Sequence, residues 1–121
     1  FTKPYARAMR HRILEGAQRC GQPVVDGAVY ACTQGPRLET AAEINRIARD
    51  GGDIVGMTGM PEACLAREAE LEYATLAVVV NHAAGRGDSQ ELVALDTLES
   101  VLAEAIKRAV CVIEAALSVD N

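Results

Sequence analysis

Apolar residues at Ala6, Met9, Ile13, Leu14 and Ala17 recur at helical spacing and predict a helix from Pro4 to about Cys20. Gly21 and Pro23 end it. The pattern then changes: Val24 to Thr33 is rich in β-formers, with Asp26-Gly27 marking a turn or a break inside a hairpin. Helical spacing returns from Glu39 to Arg49, with Ala42, Ile44, Ile47 and Ala48 on the apolar side, and Gly51-Gly52 closes that helix. Asp53 to Met57 reads as a short buried strand. Pro61 opens a third helix at its first turn, where its missing N–H costs little, and Glu62 suits the positive end of the helix dipole. Tyr73 to Val80 is one uninterrupted apolar run, as expected of a central parallel strand buried on both faces. Ala83 to Glu91 is Gly-rich and polar, a loop free to move. Leu95 to about Leu117 is a long final helix with one broad apolar side that includes Leu98, Val101, Ile106, Val112 and Ile113.

The order αβαβαβα predicts an α/β sandwich. No repeat, low-complexity tract or linker interrupts it, so residues 1–121 read as one domain. Each predicted strand ends in a polar motif. Gly35-Pro36-Arg37-Leu38-Glu39-Thr40 follows the first, Gly56-Met57-Thr58-Gly59-Met60-Pro61-Glu62 the second, and Asn81 the third. Ligands of open α/β sheets bind beyond the carboxyl ends of the strands, so these ends predict one shared pocket. Helical patterns follow the first two motifs, and their backbone amides are candidates for an anionic ligand.

Composition narrows the reading. Half of the 121 residues are apolar, but 3% are aromatic and none is Trp, so Ala, Val, Leu and Ile must build the core. A net charge of −5 argues against a nucleic-acid surface, which needs clustered Lys and Arg. Lys3, Arg7, Arg10 and Arg12 read as a solvated helix face. Cys20, Cys32, Cys64 and Cys111 form no CxxC pair, which argues against a zinc or redox motif and fits a reduced, cytoplasmic setting. No apolar stretch reaches transmembrane length. The first residue is Phe1, as in a processed chain or the back part of a longer one.

The motifs Gly35–Ile44 (GPRLETAAEI), Asp53–Glu68 (DIVGMTGMPEACLARE) and the Asn81 that closes the Val78–Val80 run resemble the C-terminal half of the trimeric purine nucleoside phosphorylases. Within that family they are most similar to the methylthioadenosine and methylthioinosine phosphorylases. The resemblance runs from Phe1 to the last helix. It implies a three-layer sandwich, with a mixed, mostly parallel sheet flanked by helices and with the N-terminal part missing. The family's Gly-rich phosphate loop has no counterpart in these residues, which implies that they alone are not a competent enzyme. By the same resemblance Leu38 packs on the purine, Glu39 meets the base edge, Met57 lies under the ribose and Thr58 offers its hydroxyl to phosphate. Asn81 hydrogen-bonds purine N7 and the 6-substituent. Relatives that act on methylthioadenosine carry Asp there and again two residues later, where this chain has Asn81 and Ala83; that departure favours a 6-oxopurine. Leu98 takes the place of a His that meets the 5′-hydroxyl in inosine enzymes, which favours a methylthio group. The implied reaction is therefore phosphorolysis of 5′-methylthioinosine to hypoxanthine and 5-methylthioribose 1-phosphate. Inorganic phosphate is the co-substrate, no metal or organic cofactor is implied, and a homotrimer is expected.

Each residue also has a plainer role. Met57 and Leu38 fit a core, Thr58 a cap near Pro61, Glu39 a helix-dipole acid and Asn81 a strand end that begins a turn. Arg86-Gly87-Asp88 reads as a loop coincidence. His82 reads as a surface or packing residue, His11 as solvent-facing, and Arg37 either touches a neighbouring subunit or balances Glu39 and Glu43. Inosine, guanosine or methylthioadenosine phosphorolysis, and a non-catalytic purine-binding or assembly role, are the competing functions.

Overall fold

The computed structural model describes residues 1–92 and 98–118, with only the helical backbone at 98–100. The element order is α1 (Arg7–Arg19), β1 (Tyr30–Cys32), α2 (Ala41–Arg49), β2 (Ile54–Gly56), α3 (Glu62–Glu68) and α4 (Leu98–Leu117). The architecture is α/β, as the pattern predicts, and the four expected helices form; α1, α2 and α3 begin one to three residues later than the pattern places them, while residues 95–97, where the last helix was expected to begin, lie outside the described residues.

The sheet departs from expectation. β1 and β2 pair in parallel, with Tyr30 opposite Ile54, Ala31 opposite Val55 and Cys32 opposite Gly56. Asp53 anchors the entry: its N–H donates to the Val29 carbonyl at 2.9 Å, and its carboxylate accepts from the Val29 N–H at 2.7 Å. Of the β-rich stretch from 24 to 33, three residues pair. The run at 73–80 joins no ladder among the described residues, and it is not buried on both faces, since Val79 is 67% exposed. An apolar run favours a strand, but ladder hydrogen bonds need a neighbouring one. Its start is tied instead to the first residues, where the Ala6 N–H donates to the Tyr73 carbonyl at 2.7 Å. The rings of Tyr5 and Tyr73 stack beside that bond at 6.1 Å.

α1 and α4 pack through small residues. A Cβ added at Gly16 would lie 2.7 Å from the Val112 carbonyl oxygen and the Ala116 nitrogen, so only glycine lets the two backbones come this close. Ala17, Val112 and Ala116 are buried around this contact. Arg19 and Arg108 close its rim, donating to the Ala115 carbonyl and the Gln22 side chain at 2.6 and 2.8 Å. The remaining buried apolar side chains among the described residues, Ile44, Ala63 and Ala66, lie on α2 and α3. No helix among the described residues is long and apolar enough to cross a membrane.

Candidate functional site

The first two motifs meet at the carboxyl ends of β1 and β2. Thr33 extends the ladder by one residue, its N–H donating to the Gly56 carbonyl at 2.8 Å. That bond places the Thr33 hydroxyl 2.6 Å from Glu39 Oε1. The Met57 sulfur packs onto Gly35, 2.6 Å from where a Cβ would stand, so the two motifs touch side chain to backbone.

Arg37 and Glu43 brace the turn that carries Leu38 and Glu39. The guanidinium grips both oxygens of Glu43 at 2.7 and 2.8 Å and also donates to the Leu38 carbonyl at 3.0 Å. Glu43 in turn accepts from the Thr40 N–H, and Thr40 Oγ1 accepts from the Glu43 N–H, a complete capping box on α2. Arg37 and then Thr40 hold the Glu43 carboxyl at about 2, and Glu43 raises the Arg37 pKa in return.

On the second motif, Tyr30 organises Thr58. Its hydroxyl accepts from the Thr58 N–H at 3.0 Å and lies 3.2 Å from Thr58 Oγ1. The ring lies over the turn: a Cβ on Gly59 would stand 3.0 Å from it, and φ there is +121°. The expected anion-binding helix starts are occupied by the chain's own acids. Glu43 takes the Thr40 amide and Glu62 takes the Gly59 amide at 3.1 Å, because a carboxylate three residues further along the chain at a helix start reaches back to an orphan N–H.

Asn81 is exposed and donates to the His82 carbonyl at 2.8 Å. The loop beyond it is ordered by contacts of its own. His82 Nδ1 pairs with Asp88 at 2.8 Å, which lowers the Asp88 pKa, and the Gly85 N–H donates to the carbonyl of the buried Ser89. Gly85 rests on Ala41, which brings this loop against the start of α2. Between them lies a groove of about 360 Å³, lined by Leu38, Glu39, Thr40 and Ala41 on one side and by Ala84, Gly85 and residues 89–92 on the other.

The structure thus joins Leu38 and Glu39 to the loop after Asn81, and it sets Met57 and Thr58 on the adjoining turn. One pocket lined by all of them does not form among the described residues: Met57, Thr58 and Asn81 do not line the groove. Met57 packs on Gly35, Thr58 is held by Tyr30 and Asn81 by the neighbouring His82 carbonyl, whereas Glu39 is held by Thr33 at the sheet end. The Leu98 side chain lies outside the described residues. A larger cavity of about 660 Å³ opens elsewhere, between α1, α4 and residues 74–79, and contains none of the predicted site residues. Thr33 and Tyr30 went unnoticed in the sequence, and Asp88 read only as part of a chance tripeptide. Only Thr33 carried a usable signal, as a hydroxyl at the carboxyl end of a predicted strand.

A model of the phosphorylase superfamily matches residues 1–118, and the chain belongs to that superfamily. Within it, the chain is 57% identical over 102 residues to a protein of Pseudomonas syringae pv. tomato named "Probable S-methyl-5'-thioinosine phosphorylase", covering 84% of this chain and 41% of the relative. It is 54% identical over 101 residues to a protein of the same name from Xanthomonas campestris pv. campestris, covering 84% and 40%. It is 52% identical over 85 residues to the 6-oxopurine nucleoside phosphorylase of Pyrococcus furiosus, covering 70% and 32%. The chain therefore spans about two-fifths of the length of the first two relatives. The fold is also that of methylthioadenosine phosphorylase from Schistosoma mansoni in complex with adenine, with a TM-score of 0.87 over 96% of this chain and 46% of that one, at 23% identity.

Proposed function

We propose that residues 1–121 form the C-terminal part of a single nucleoside phosphorylase domain. The complete domain, rather than these residues alone, splits S-methyl-5'-thioinosine with phosphate into hypoxanthine and 5-methylthioribose 1-phosphate. The observation that carries this reading is Glu39: half-buried in the groove, with Oε1 held by Thr33 and Oε2 without a partner among the described residues. A carboxylate only accepts hydrogen bonds, so it suits the ring N–H of a 6-oxopurine and opposes the lone pair that a 6-aminopurine presents there. The names of the relatives support the same substrate class.

In the reaction, phosphate attacks the anomeric carbon as the glycosidic bond to the purine breaks, through a transition state with oxocarbenium character. The bonding electrons leave with the base. Asn81 accepts from protonated N7 and donates to O6, where the charge grows, so it helps most in the transition state. Thr58 serves phosphate: its hydroxyl lies 3.2 Å from that of Tyr30 with either able to donate, and when Tyr30 donates, the Thr58 proton is left for a phosphate oxygen. Leu38 walls the base, Met57 underlies the ribose and Leu98 faces the 5′-methylthio group. No cofactor takes part beyond phosphate as co-substrate. A cytoplasmic homotrimer is part of the proposal.

A second reading, inosine or guanosine phosphorolysis, is favoured by the similarity to the Pyrococcus furiosus enzyme. Phosphate-dependent base release by the complete protein separates the two, with methylthioinosine, inosine and methylthioadenosine offered in parallel. The expected outcome is fast hypoxanthine release from methylthioinosine; preference for inosine moves the assignment to the second reading. Asn81→Ala is expected to lower kcat by about 10²–10³. An unchanged rate removes Asn81 from the mechanism.

A further inference from the structure

We infer that Thr33 is a positioning residue for base selection: it holds one oxygen of Glu39 so that the other meets a donor, not a lone pair, on the purine edge. This rests on the proposed role of Glu39. Two features make the hydroxyl a fixed support. Its own backbone is part of the ladder through the Thr33 N–H to Gly56 bond, so its position is set by the sheet. Its single proton has two acceptors in reach, Glu39 Oε1 at 2.6 Å and the Gly56 carbonyl at 3.3 Å, and the shorter, charge-assisted bond takes it.

Glu39 has no other restraint among the described residues. The neighbouring guanidinium of Arg37 is committed to both oxygens of Glu43. Glu39 sits on an exposed turn beside Leu38, which is 51% exposed. Without the Thr33 hydroxyl its carboxylate rotates among several rotamers, some turned toward the cationic Arg37, and binding a base then has to immobilise it. With the hydroxyl in place that ordering precedes binding. Discrimination between a ring N–H and a ring lone pair depends on where the acceptor oxygen points, so losing the restraint erodes selectivity as well as rate.

The test is a mutant cycle in the complete protein, with methylthioinosine and methylthioadenosine as substrates. Thr33→Val keeps the shape and removes the proton. The expected result is a loss of roughly tenfold in kcat/KM for methylthioinosine, the size of a hydrogen bond to a charged group. The rate with methylthioadenosine should not fall in parallel, the thermal midpoint should be unchanged, and Thr33→Ser should restore activity. In a Glu39→Ala background Thr33→Val should cost nothing more, because its effect passes through Glu39. If Glu39→Ala is damaging while Thr33→Val is silent, or the two losses simply add, Thr33 does not position Glu39, although Glu39 keeps its role. A fall in midpoint that Thr33→Ser does not rescue makes Thr33 structural and likewise overturns the inference. If Glu39→Ala is itself silent, the base-edge reading fails and this inference with it.

Discussion

The carboxyl ends of β1 and β2 and the α1–α4 side satisfy their groups in opposite ways. At the strand ends nearly every polar side chain is engaged within the chain: Thr33 with Glu39, Tyr30 with Thr58, and Arg37 with Glu43 and through it Thr40. On the helical side the contact is made by Gly16, Ala17, Val112 and Ala116, and beside it lies a large, mostly apolar cavity. Val25 and Val79, both on that cavity, are 89% and 67% exposed. A polar side chain is satisfied by one or two well-placed partners, so these groups can be engaged within the chain itself. Apolar surface is non-directional and needs area from other elements to cover it. We propose that the rest of the domain supplies that cover, in keeping with a chain that spans about two-fifths of its relatives.

Three substitutions in the complete protein sharpen the contrast, from the greatest effect to the least. Gly16→Val forces a branched side chain between backbones that already touch, and is expected to cost about 3 kcal/mol by overpacking. A urea midpoint equal to that of the parent would mean that α1 and α4 do not need this approach. Thr40→Ala removes the side-chain half of the capping box on α2 and should cost about 1 kcal/mol. Because that cap also carries Glu43 and hence Arg37, the same variant should weaken methylthioinosine binding slightly through the Leu38–Glu39 turn; equal KM values would separate the cap from the site. The smallest effect concerns acid. The Glu43 carboxyl titrates at about 2 in the folded chain against an ordinary 4.5. Its folded-state value is depressed, so its contribution is full above about 4.5 and is lost as the pH falls toward 2. Glu43→Gln should flatten the stability–pH profile in that window alone. A profile parallel to the parent's would show that the Arg37 bridge is too exposed to matter.

Five candidate site residues were legible in the sequence as motif positions. Leu38, Glu39, Met57, Thr58 and Asn81 were marked by their places in the three motifs, and the groove does bring Leu38 and Glu39 beside the loop that follows Asn81. The residues that hold them were harder to find. Tyr30 lies 28 positions from Thr58, and no local pattern links an aromatic in a strand to a hydroxyl in a distant turn. Asp88 looked like part of a chance tripeptide until its bond to His82 closed the loop. The helix starts show a related effect: an amide is open to an anion only if no side chain of the chain reaches it first, and Glu43 and Glu62 each take one such amide.

Spacing along the chain determined the helices, their caps and the places where polar motifs interrupt apolar runs, since these depend on neighbours three or four residues away. It also marked 73–80 as an apolar run. Whether that run becomes a strand was decided by the tertiary structure, because a ladder needs a partner and the sequence of one segment does not name its partner. The same holds for the site. Residue type made Glu39 an acceptor, but only the pairing of β1 with β2, which brings Gly56 to the Thr33 N–H and sets that hydroxyl against Oε1, decided which of its oxygens is left for a ligand.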